Sequence, residues 1–187
     1  CYSDHELETM RDDIHAAMQV GADGLVLGIL HENNSVDVER TKRLVEFAHP
    51  LPVTFHRAFD LAENRTVALE DVIQTGASRI LTSGGEQRAT DALLILTHLM
   101  QAAKNRILIM PCGGINSANI ERVVRTTLAR EIHTSVGTSR PRSGSNGRDF
   151  SRRMGAVRSS LDSPLFEKKV VKLVNRLTNV SQNEFAR

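Results

Sequence analysis

At 187 residues the chain is long enough for one domain with a substantial core and too short for two. A formal net charge of +2, one Tyr, no Trp and six Phe argue against a nucleic-acid surface or a base-stacking platform. Two cysteines, Cys1 and Cys112, form no disulfide framework and suit a reducing, cytoplasmic setting. No apolar run reaches the length of a membrane span, and no signal-peptide pattern is present.

The first predicted element is a helix in "SDHELETMRDDIHAAMQVGAD". Ser3 and Glu6 stand at capping-box spacing, and Gly21 supplies the stop. "GLVLGIL" (24–30) reads as a strand buried on both faces. A helix over "DVERTKRLVEFAH" leads to the strand "LPVTFHRAF", and a helix over "VALEDVIQTGA" leads to "RILTSGG". The long amphipathic "ATDALLILTHLMQAAK" precedes the strand "RILIMPCGG". "SANIERVVRTTLA", with Ser117 expected at its cap, precedes a fifth strand in "REIHTSVG".

Five strands alternating with helices predict an α/β fold with a parallel sheet of βα units. That leaves an open doubly wound sheet or part of a (β/α)8 barrel. Beyond Gly137 the period is lost. Residues 138–164 read as a long loop, 165–180 as a closing amphipathic helix, and the whole of 1–187 as a single domain.

Candidate chemistry gathers at strand ends. In "VTFHRAFD", alternation turns Val53, Phe55 and Phe59 toward the helices and Thr54, His56 and Asp60 inward, with Arg57 over the mouth. In "EIHTSVG" the same rule turns Glu131, His133 and Ser135 inward. His56, Glu131 and His133 fit either a satisfied hydrogen-bonded network or an acid/base or metal-capable pocket. The glycine turns "TSGG" and "PCGGINS", with Gly137 after the last strand, make Ser83, Gly84, Gly113, Gly114 and Gly137 anion-binding candidates. Cys112 lies in one of these turns, and a soft thiolate there could meet Cu(I).

Taken together, "CYSDHELETMRDDI", "GADGLVLGIL", "PLPVTFHRAFD", "RILTSGG", "IMPCGGI" and "EIHTSVG" resemble the CutC copper homeostasis family, in order, from Cys1 to about Gly137. The resemblance implies a (β/α)8 TIM-barrel-like fold that is N-terminally incomplete here, with about five of eight βα units present. It also implies a cytoplasmic protein that handles copper and binds Cu(I), with Cys112 and Cys1 as the candidate metal ligands in this chain. The family's other copper-ligand cysteines fall largely in the part preceding Cys1, so the chain is expected to be a fragment. Homo-oligomerisation is expected, because a barrel short of strands exposes sheet edges.

The alternative from a different class is a TIM-barrel enzyme acting on a small phosphorylated or carboxylated metabolite. His56 or His133 would be its acid/base, Arg57 would hold the anion, and Glu131 or Asp60 would orient the histidine.

Overall fold

The computed structural model describes residues 2–134. Cys1, Ser135 and Gly137, the expected loop over 138–164 and the expected helix over 165–180 lie outside the described residues.

Helix α1 (Asp4–Gln19) starts where its side chains can satisfy its first amides. The Ser3 hydroxyl accepts from the Glu6 N–H, while the Glu6 carboxylate accepts from the Ser3 N–H at 2.7 Å. Strand β1 (Leu25–Leu27) follows. Helix α2 (Val38–Phe47) is capped by Asp37, whose Oδ1 accepts from the Arg40 N–H at 3.0 Å. Strand β2 (Val53–Phe55) leads through a short 3-10 turn (Arg57–Leu61) to helix α3 (Arg65–Gln74), which is capped by Asn64. Strand β3 (Arg79–Thr82), a second 3-10 turn (Ala89–Asp91), helix α4 (Leu93–Ala103), strand β4 (Leu108–Pro111) and helix α5 (Ile120–Thr127) complete the order.

Among the described residues the strands form one parallel sheet in the order β1-β2-β3-β4, as successive right-handed βα units require. Register pairs Leu27 with Phe55, Phe55 with Ile80 and Ile80 with Ile109, which sets one row against the helices. Phe55, Phe59, Leu69, Val72, Ile80 and Leu99 are the centre of that core, all at most 1% exposed. A second cluster joins α4 to α5 through Leu96, Ile120 and Val123, and a third seats α1 and α2 on β1 and β2 through Ile14, Leu44 and Val53. Among the described residues the opposite row is uncovered at β1, where Val26 is 63% exposed, so the strand expected over 24–30 is shorter and is not buried on both faces. No helix among the described residues is long and apolar enough to cross a membrane.

Three further expectations are corrected. The described part of the fifth strand, through Thr134, forms no strand, although the His133 N–H donates to the Pro111 carbonyl at 2.9 Å and so starts alongside β4. The strand expected through Phe59 ends at Phe55. Beyond it the His56 Nδ1 accepts from the Ala58 N–H, which starts a 3-10 turn and carries Arg57 and Asp60 off the sheet. Finally, α5 begins at Ile120 with Asn119 in the cap position rather than Ser117, because Asn116 and Asn119 take up the local backbone amides.

Candidate functional site

The site lies at the C-terminal ends of β3 and β4, where ligand sites of parallel α/β folds are found. Its foundation is Asp60, whose side chain is 8% exposed. The Asp60 carboxylate accepts from the Thr82 hydroxyl, the Ser83 hydroxyl at 2.9 Å, the Ser83 N–H at 3.2 Å and the Gly85 N–H at 3.1 Å. Arg57 adds its Nε–H at 2.8 Å. Burial by itself raises the Asp60 carboxyl, but the hydrogen bonds from Thr82, Arg57 and Ser83 outweigh it and hold the group below its ordinary value.

This arrangement corrects one expected anion site. The turn at Ser83 and Gly84 is built to surround a negative group, and the protein's own carboxylate fills it. The Gly84 N–H is likewise spent, on the Thr82 hydroxyl at 2.9 Å. Glycine is favoured here: Gly84 and Gly85 have φ of +77° and +86°, and a Cβ on Gly84 would lie 2.7 Å from the Ala92 Cβ.

Held by Asp60, Arg57 also donates through Nη2 to the Ser83 hydroxyl at 2.7 Å, and its guanidinium borders a cavity of about 210 Å³. The cavity is lined by Arg57, Leu81, Cys112, Gly113, Gly114, Ile115 and His133. Five of the sequence candidates therefore converge: Arg57, Cys112, Gly113, Gly114 and His133. The Cys112 N–H donates to the Thr82 carbonyl, which ties the two glycine turns together. Burial pushes the Cys112 thiol up to about 11, against the pull of the Arg57 charge.

Two candidates stand elsewhere. His56 is occupied in capping its own turn, and its ring rests on Gly28, where a Cβ would come within 2.9 Å of Nδ1. Burial lowers its proton affinity, so it is neutral at pH 7. Glu131 is paired with Arg79 at the N-terminal start of β3, through Nε at 2.5 Å and Nη2 at 3.2 Å. That pairing puts it at the end of the sheet away from the cavity. Of the remaining side chains at the mouth, Leu81, Ile115 and Arg88 carry no sequence signal. Arg88 lies along Gly114, with Nε 3.2 Å from where a Cβ would be.

Among the described residues no group of three or more His, Cys, Asp or Glu side chains is gathered closely enough to hold a metal ion. The cavity can offer one thiol, one imidazole and one guanidinium to a ligand. This suits a soft cation held by two ligands or an oxyanion held by charge.

The CutC family model matches residues 1–138. A human relative named copper homeostasis protein cutC homolog is 41% identical over 182 residues, covering 97% of this chain and 66% of its own length. Its mouse counterpart is 44% identical over 155 residues, covering 83% and 57%. A crystal structure named for CutC, from Streptococcus agalactiae, superposes with a TM-score of 0.67 at 32% identity, covering 71% of this chain and 65% of that one. The structure named native KDPGal, at 12% identity and a TM-score of 0.56, shares the fold alone. The chain spans 57% to 66% of the length of its human and mouse relatives. With its parallel βα sheet and a family match over most of its length, the chain belongs to the CutC family.

Proposed function

We propose that the chain serves copper homeostasis by taking up Cu(I) as cargo at the mouth cavity, with Cys112 and His133 as its ligands. Family membership carries this reading, and the convergence of a thiol and an imidazole on one cavity supports it. Two ligands suit an ion that is handed on better than one kept permanently. The cytoplasm is the proposed setting, since Cys112 must remain reduced there to act. Pairing with a second copy is the proposed assembly, β1 being an edge of the sheet among the described residues and Val26 being exposed on its face.

Because burial holds the Cys112 thiol near 11, Cu(I) must displace its proton, and affinity rises with pH across the neutral range. Titration with Cu(I) in reducing buffer against a competing chelator is expected to show one ion per chain. Affinity should climb about tenfold per pH unit, and Cys112→Ser should abolish binding. Binding no better than the chelator, or undiminished in Cys112→Ser, contradicts the reading.

The second reading, an enzyme acting on a small phosphorylated or carboxylated metabolite, is supported by the guanidinium of Arg57 beside Gly113 and Gly114. In it the exposed His133, rather than His56, is the acid/base.

A further inference from the structure

Two turns of the same construction stand side by side at the mouth. After β3, Thr82-Ser83-Gly84-Gly85 places consecutive glycines at positive φ and wraps the Asp60 carboxylate. After β4, Pro111-Cys112-Gly113-Gly114 repeats the pattern, with φ of +92° and +64°. Successive amides in such a conformation point together and form an anion-binding concavity. The first turn meets that requirement internally. The second has no carboxylate of its own: among the described residues, the N–H groups of Gly113 and Gly114 donate to no acceptor.

The residues lining the cavity beside the second turn include the Arg57 guanidinium and no carboxylate. Arg57 borders it from the 3-10 turn after β2, fixed there by Asp60 and Ser83. Arg88 lies along Gly114 from the segment before α4, beside the cavity lining rather than in it, with its Nε 3.2 Å from where a Gly114 Cβ would be. His133 closes the third side. The nearest acid, Asp60, is already saturated by five donor groups. Two guanidinium groups and a pair of backbone amides match a doubly charged oxyanion better than a carboxylate.

We infer that the Cys112–Gly114 turn, flanked by Arg57 and Arg88, receives the phosphate group of a small phosphorylated metabolite. The cavity of about 210 Å³ admits a phosphate and a few further atoms, not a nucleotide. This deepens the enzyme reading by fixing which end of the substrate is held and where. It is independent of copper and is tested on metal-free protein, so either idea can fail alone.

The probe is inorganic phosphate, titrated into the metal-free chain at neutral pH by calorimetry, with acetate in parallel. Saturable millimolar binding is expected for phosphate and none for acetate. Arg88→Gln should weaken phosphate binding about tenfold or more, the loss of one charge-assisted contact. Arg57→Gln should do the same. Arg88 is not bonded to Asp60, so its variant leaves the Asp60-filled turn intact. Absence of saturation, equal binding of acetate, or full affinity in Arg88→Gln each overturns the inference.

Discussion

Asp60→Ala is expected to lower unfolding stability by about 3–5 kcal/mol and to weaken ligand binding at the mouth. The ion pair with Arg57 contributes little, since the Arg57 side chain is 48% exposed. The cost comes from the donors left behind. The Thr82 hydroxyl, the Ser83 N–H and O–H and the Gly85 N–H all point at one carboxylate, and Thr82 and Ser83 are fully buried. Urea unfolding measures it: the midpoint should fall with an unchanged slope. A loss under about 1 kcal/mol would mean that the glycine turn holds its shape unaided.

The same group sets an acid limit. Its folded proton affinity is below that of the unfolded chain, so the unfolded state binds the proton more readily. Its contribution to stability is therefore complete above the ordinary aspartate value of 3.8 and is lost as pH falls through the lower folded value. Asp60→Asn should flatten the acid limb of the stability profile relative to the unaltered protein.

Phe59→Ala is the second large effect, at about 3–5 kcal/mol. Phe59 is fully buried among Phe55, Leu69, Val72 and Ile80, and it is the apolar anchor of the 3-10 turn whose polar anchor is Asp60. Losing it leaves a cavity behind the turn and loosens Arg57, so phosphate affinity should fall along with stability. Phe59→Leu, which keeps most of the volume, should recover much of both. Thermal and urea unfolding check the first part, and a destabilisation under about 1.5 kcal/mol would place the anchor elsewhere.

Phe59 also shows how a correct expectation can rest on the wrong geometry. Strand alternation from Val53 and Phe55 puts Phe59 on the helix-facing side, and it is buried there. Yet the strand stops at Phe55, and the 3-10 turn, not the pleat, brings Phe59 inward. Local signals of this kind were readable: the Ser3 cap, the Gly21 stop, the order of strands and helices and the burial of Val53 and Phe55 all act within a few residues.

Contacts spanning long stretches of sequence were not readable. Nothing in "VTFHRAFD" says that Asp60 will plug the turn 23 residues later, and so remove Ser83 and Gly84 as sites for an outside anion. Alternation within "EIHTSVG" cannot say which end of the sheet Glu131 reaches, and its partner Arg79, 52 residues earlier, stands at the end away from the cavity. For His56 the sequence leaves open a satisfied group or a site residue, and its ring nitrogen is engaged in starting the 3-10 turn. Arg88 carries no local signal, because its place along Gly114 is set by packing between segments 26 residues apart.

In this CutC-family chain the proposed meeting point with the ligand is the mouth over β3 and β4. Backbone chemical shifts recorded during Cu(I) addition in reducing buffer test it most directly. Changes confined to Arg57, Leu81, the 112–115 turn and His133 are expected. Changes centred instead on the His31, Asp37 and Arg40 cluster at α2, with Cys112 and His133 unmoved, would contradict it.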